Sequence, residues 1–389
     1  MIIIYDEGKY MKRIFLLACL TLILCTGCIR VVEIPYSEVT AEDTVFADKF
    51  YFSQFSEKEQ LVYKEIYQGI LNQQEEIYVH SEEPEIVNDL LKSVSYDFGE
   101  IFWIDGSATS TVYEAPIGGD RYTVIEPSYI YSLEERKQRE AEIEAEVGQI
   151  ISAIPAEYTE YEIIKHIYEY LVDNVTYVED APDNQNLYSA LVRRETVCAG
   201  YAKANQYLLN KMGIPCIYVM GTTTQEGKSE SHAWNIVRCN EEYYHVDITW
   251  ADSIELDEPS EVQMEPLYDY LCCSDAQLAA THIPDANYDY PDCVSEDLNY
   301  YRMHQMFYET IDKKQLLNAM YKSIDAKEKS TVFKFSNTML YEEGETLILQ
   351  SLIDSAARHL ADRYHLKEVM YSYDAQTVLN KVIIYWYYE

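Results

Sequence analysis

Apolar residues recur at helical spacing in some stretches of the chain and alternate in others. Glu57 to Leu71 keeps a helical period, and Glu100-Ile-Phe-Trp103 and Arg121-Tyr-Thr-Val-Ile125 are short β-like runs split by a Gly/Ser/Thr turn region. Ile143, Val147, Ile150, Ile151 and Ile154 fall on one helix face, and Pro155 ends that helix. Residues 45–155 therefore read as an amino-terminal α+β region. In 156–285 a helix runs from Thr196 as N-cap to Gly213 as C′ residue, burying Val197, Tyr201, Ala204, Leu208 and Met212. A strand, Ile214–Met220, runs into a polar loop, Gly221–Ser231. Next, His232–Arg238 and Tyr243–Trp250 form a hairpin around Cys239–Glu242. Residues 295–389 read as helix, strand (Thr331–Phe335), helix (Leu347–Tyr364) and two strands (Val369–Tyr373, Lys381–Tyr388), a further α+β region with no nameable chemistry.

The amino terminus has a different pattern. Met11-Lys12-Arg13 precedes an uncharged run from Ile14 to Cys25, too short for a bilayer, which needs about twenty residues. A basic start, a short apolar middle and small residues at its end make a secretory signal. Cys25-Thr26-Gly27-Cys28 resembles a bacterial lipobox, with Cys25 where Leu is usual, in which Cys28 is lipidated. Residues 1–28 are thus expected to be a signal peptide, with translation starting at Met11 because Asp6 and Glu7 do not suit one. Residues 29–44 are expected to be a tether, and the body to be exported and held on the outer face of the membrane as a lipoprotein.

Charge narrows the partners. With 30 Lys+Arg against 67 Asp+Glu, the net charge is −37. Such a chain lacks the cationic surface whose counterion release drives nucleic-acid binding, and has no basic helix for a lipid surface. No nucleic acid is expected, and membrane contact only through the lipid. The 38 tyrosines fit a binding face and genome composition equally. No CxxC pair lies in the mature body, so zinc-ribbon and thioredoxin readings fail; Cys216, Cys239, Cys272, Cys273 and Cys293 leave the disulfide state open. The acidic stretch Asp252–Glu265 lacks the spacing of a calcium loop.

One constellation carries chemistry. Cys198 lies in the first turn of its helix, where unpaired backbone N–H groups and the positive dipole end favour a thiolate and can hold an oxyanion. A hairpin turn at Cys239-Asn240 sets His232 opposite Asp247; a turn at Asn240-Glu241 makes them diagonal neighbours, still on one face. Either register lets a carboxylate orient an imidazole beside a helix-start cysteine, as thiol catalysis requires. His245 shares that face and is an alternative base. Zinc held by Cys198, His232 and His245 has no local ligand pair behind it.

Val197-Cys198-Ala-Gly200-Tyr201-Ala202, His232-Ala-Trp-Asn235 and Val246-Asp247-Ile-Thr-Trp250 resemble the three signature blocks of the transglutaminase-like superfamily, as found in its bacterial secreted members. Glu162–Asn174 with Tyr177, Leu187–Leu191, Tyr268-Asp-Tyr-Leu, Ser274-Asp275 and His282 resemble it too, while Ala199 stands where a polar residue is common. The resemblance implies a papain-like α+β core over 156–285, with Cys198 as nucleophile, His232 as base and Asp247 as its orienter, and neither cofactor nor metal. It matches Trp234 and Trp250 to family aromatics; these and Tyr201 are candidate cleft residues, though packing is the commoner role for the tryptophans. The implied activity is attack on amide bonds of surface peptides or proteins through a thioester, released by water or by an amine. The alternative is a non-catalytic surface binding or assembly lipoprotein that keeps the fold.

Overall fold

The computed structural model describes residues 34–115, 119–225, 227–251 and 267–388. The signal segment with Cys28 and the acidic stretch Asp252–Glu265 lie outside the described residues. The chain forms two compact units, one built from residues up to Ala41, Glu57–Leu91 and Ala108–Pro127, the other from Glu42–Ser56, Lys92–Ser107 and Ser128 onward.

In the first unit, helix α1 (Glu57–Leu71) precedes strand β1 (Ile77–Val79), and helix α2 (Pro84–Asp97) begins here. Strand β3 (Arg121–Tyr129) is central to an antiparallel sheet of order β1-β3-β2, with β2 spanning Ile104–Glu114. The polar segment before α1 is tied down: Gln68 Oε1 accepts hydrogen bonds from Thr40 N, Thr40 Oγ1 and Ala41 N.

The second unit carries the signature blocks. Helix α3 (Leu133–Ser152) starts at a capping box of Ser132 and Glu135, and α4 (Glu160–Asn174) at one of Thr159 and Glu162. The expected strand Glu100–Trp103 is irregular. Ile101, Phe102 and Trp103 are all buried, and three successive buried side chains do not suit the two-sided alternation of a half-exposed strand.

Short strands β4 (Thr176–Tyr177) and β5 (Glu195–Thr196) pair in parallel ahead of helix α5 (Cys198–Lys211). Gly213, at φ +79°, closes α5 as its C′ residue. The helix packs on β6 (Cys216–Gln225) and β7 (Lys228–Cys239), within an antiparallel sheet of order β10-β6-β7-β8-β9. The remaining strands are β8 (Glu242–Val246), β9 (Leu271–Cys273) and β10 (His282–Pro284). Buried amides fasten helix to sheet: Asn205 donates to Asn235 Oδ1 at 2.9 Å, and Asn235 donates to Ala202 O at 3.0 Å.

The segment expected as a polar loop, Gly221–Ser231, is mostly strand, because the β6–β7 ladder runs out to Gln225 and Lys228. Its threonines are polar but β-branched, and the extended pleat suits them. The next hairpin takes the Asn240-Glu241 register: Cys239 faces Glu242, and both turn residues have positive φ, as a two-residue hairpin turn demands.

Beyond β10, the sheet of order β11-β12-β14-β13 holds β11 (Phe307–Tyr308), β12 (Ser330–Phe335), β13 (Tyr371–Gln376) and β14 (Lys381–Trp386). Helices α6 (Lys313–Asp325), α7 (Thr338–Leu347) and α8 (Ile353–Tyr364) accompany it, and Leu316, Met320, Phe333, Phe335, Leu360 and Trp386 share its core. No helix among the described residues is long and apolar enough to cross a membrane.

Candidate active site

Cys198 is the first residue of α5. The N-cap is Val197 in extended conformation, which offers no side-chain acceptor. Thr196, expected to cap, lies one residue too early and is fully buried; its hydroxyl donates to Asn184 O at 2.6 Å and lies 2.8 Å from Ser189 Oγ. The Gly200 and Tyr201 amides reach Val197 O, which leaves those of Cys198 and Ala199 with no capping side chain and no intrahelical carbonyl.

His232, on β7, places Nε2 2.7 Å from Asp247 Oδ2. Both side chains are buried, and Asp247 Oδ1 accepts the Trp250 amide at 3.3 Å. With Nε2 engaged, Nδ1 is the ring nitrogen left to serve Cys198, whose side chain is among the influences on the imidazole. Burial alone would push the imidazole pKa down. The Asp247 charge and hydrogen bond, helped by Cys198, outweigh that and raise it to about 10. Burial would likewise raise Asp247, but the His232 charge and the bonds from His232 and His282 hold it well below the usual carboxylate range. The imidazole is therefore a cation near neutral pH.

His282 is the partner whose role the sequence left open. Its Nε2 lies 2.9 Å from the same Asp247 Oδ2, and its Nδ1 2.7 Å from Thr281 Oγ1. Its strand pairs with β6, setting His282 against Thr223, a match between segments about sixty positions apart that no local pattern announces.

His245, the alternative base, is committed elsewhere. Trp234 Nε1 donates to its Nδ1 at 3.1 Å, which puts the ring proton on Nε2, 2.8 Å from Asp275 Oδ1. Among the described residues, the sets with close enough ligand atoms for a metal are His232, Asp247, His282 and His245, Asp275, Cys293; Cys198 joins neither. In both, the carboxylate already accepts imidazole N–H bonds, which a cation would have to displace. Cys198 is half-buried, and the five other described cysteines are buried and unbridged.

Cys198 and His232 open on a cleft of about 650 Å³ whose apolar wall includes Tyr96, Ile104, Tyr177, Tyr218 and Met220. The aromatics expected there do not line it. Trp234 is buried and spends its N–H on His245, and Tyr201 is buried with its hydroxyl donating to Val175 O. Trp250 packs against Tyr270 and His282. All three are large apolar groups whose burial stabilises the sheet–helix core.

Residues 149–248 match the transglutaminase-like superfamily. This segment is similar to a transglutaminase core. No curated protein matches the chain. Among solved structures, a TGase is similar at 15% identity and a TM-score of 0.27, covering 49% of this chain and 54% of its own. A proposed cysteine protease from Cytophaga hutchinsonii is similar at 12% identity and a TM-score of 0.24, covering 38% and 63%. Menin is similar at 14% identity and a TM-score of 0.26, covering 80% and 66%. The chain thus spans less than two thirds of the first two. The transglutaminase-like domain here is α+β, helix α5 against an antiparallel sheet.

Proposed function

We propose that the transglutaminase-like domain makes this chain a thiol enzyme acting on amide bonds of peptides or proteins. The observation that carries the reading is the imidazole of His232, bound through Nε2 to buried Asp247 and sharing the cleft wall with Cys198. In this mechanism the Cys198 sulfur attacks the amide carbonyl carbon, and the open amides at the start of α5 hold the oxyanion. The His232 imidazolium gives its proton to the leaving nitrogen as the C–N bond breaks, leaving a thioester on Cys198. His232, now neutral, takes a proton from the acceptor that attacks the thioester. Water as acceptor makes a peptidase or deamidase; a primary amine makes a transglutaminase.

Iodoacetate labelling of the full chain at pH 7, read by mass spectrometry, tests the reading. Cys198 should react first, with His232→Ala slowing it. Turnover of glutamine peptides with and without an added amine then separates hydrolysis from transfer. If Cys198 labels no faster than the buried thiols and Cys198→Ala changes no turnover, the binding-protein alternative takes its place.

We further propose surface anchoring through a lipid on Cys28. Radiolabelled palmitate incorporation that survives Cys28→Ser would overturn it.

A further inference from the structure

Lys203 lies on the cleft wall that bears Cys198, five residues further along α5. Five residues of α-helix advance about 7.5 Å, roughly the span from one peptide carbonyl to a neighbouring residue's side chain. Among the described residues Lys203 makes no hydrogen bond or ion pair. Burial alone perturbs its ammonium, pulling its pKa down to about 8, with no carboxylate offsetting the cost. Yet the chain is strongly acidic, and the cleft itself carries carboxylates.

Those carboxylates are occupied or turned to water. Asp105 accepts from Ser107 and Ser128, and Asp183 accepts from Tyr131 and pairs with Arg193. Glu179 is exposed. Lys92 also lines the wall, which adds to the local positive charge. A half-buried ammonium without an anion, on the wall that also bears the nucleophile, is placed to pair with a charge that a ligand supplies.

We propose that Lys203 is the anion-binding element of the substrate cleft, and that the substrate bears a carboxylate about one residue from the amide that Cys198 attacks. The carboxylate is either an acidic side chain or a free C-terminal group. The proposal rests on the thiol-enzyme reading for the identity of the attacked bond, but the carboxylate site itself does not require turnover.

The test separates the two. Full-length Cys198→Ala protein is titrated calorimetrically with three blocked tripeptides: acetyl-Ala-Glu-Ala-amide, acetyl-Ala-Gln-Ala-amide, and acetyl-Ala-Gln-Ala with a free C-terminal carboxylate. One charge-assisted hydrogen bond is worth about a ten- to hundredfold change in affinity, so at least one carboxylate peptide should outbind the neutral one by that factor. Whichever wins identifies the source of the carboxylate. Adding Lys203→Met should erase the preference, and Lys203→Arg should retain it. A merely structural lysine would not change the acid-to-amide ratio. Equal binding of all three peptides, no binding of either carboxylate peptide, or a preference that survives Lys203→Met overturns the proposal. Turnover is measured separately with Cys198 intact: a carboxylate preference without turnover sinks the enzymatic reading and leaves the site standing.

Discussion

Asp269 is the residue whose loss should cost the fold most for the smallest change in shape. Its carboxylate is buried against two ammonium groups from the carboxy-terminal sheet: Lys334 Nζ lies 2.6 Å from Oδ1, and Lys381 Nζ pairs with Oδ2. Tyr301 donates to Oδ2 at 2.8 Å, and Lys334 also donates to Leu379 O. The Asp269 and Lys381 side chains are 2% and 1% exposed, so water cannot replace the pairing. Asp269→Asn keeps the volume and one acceptor but leaves a buried and a partly buried cation facing each other. Breaking a buried pair from one side costs about 3–5 kcal/mol.

Urea unfolding should show that loss, while Lys381→Met, which leaves the Asp269–Lys334 pair intact, should cost much less. In the double variant the second change should recover part of the first, a non-additivity expected only of coupled groups. The pH dependence has a definite sign. Asp269 is held well below the ordinary carboxylate range, burial being outweighed by the two lysines. Its contribution is therefore present above about pH 4 and lost as pH falls. In Asp269→Asn, burial pulls Lys381 down with only the weaker influence of Asp374 to oppose it. The folded state then binds fewer protons than the unfolded one, and stability rises with pH between 7 and 10 by up to about 1.4 kcal/mol per unit for one proton. A deficit under about 1 kcal/mol at pH 7, or strict additivity with Lys381→Met, would refute this reasoning.

Three further expectations are simpler to check. A Cβ at Gly200 would collide with the Thr196 hydroxyl and lie 3.2 Å from Asn186 O, so Gly200→Ala should destabilise by about 1–3 kcal/mol in urea titration. Glu241 sits at φ +70°, and Glu241→Gly should add about 1 kcal/mol; an unchanged melting midpoint would count against the turn described. With His232 raised to about 10 by Asp247, the rate of Cys198 alkylation should show its His232-dependent inflection near that pH. Asp247→Ala should move the inflection down toward the ordinary imidazole value of about 6.5, and a profile indifferent to Asp247 would break the assignment.

How much of this could be read from the chain depends on how far apart the interacting groups lie in sequence. The helix faces of α1 and α3 show in residues three and four apart, and the hairpin narrowed the partner of His232 to two registers, because turn and strands are contiguous. The turn residues decided between them. The polarity of Gly221–Ser231 suggests a loop, but threonine suits the extended pleat, and β6 is paired on both sides there. Thr196 misled by one position: a good capping residue was spent instead on fixing the loop from Asn184 to Ser189.

The same distinction explains the site. Cys198, His232 and Asp247 stand in signature blocks, each a short run with its own local structure. What surrounds them does not. His282 reaches Asp247 through the pairing of β10 with β6, and Lys334 and Lys381 reach Asp269 from a sheet that begins at residue 307. Asp269 lies next to Tyr270, whose carbonyl accepts the Asp247 amide at 3.0 Å. The carboxy-terminal sheet, which shows no chemistry as sequence, therefore sits one residue from the backbone bond that sets the orienting carboxylate. A variant that loosens the lysine cluster should slow alkylation of Cys198 as well as lower stability, because the same short segment serves both.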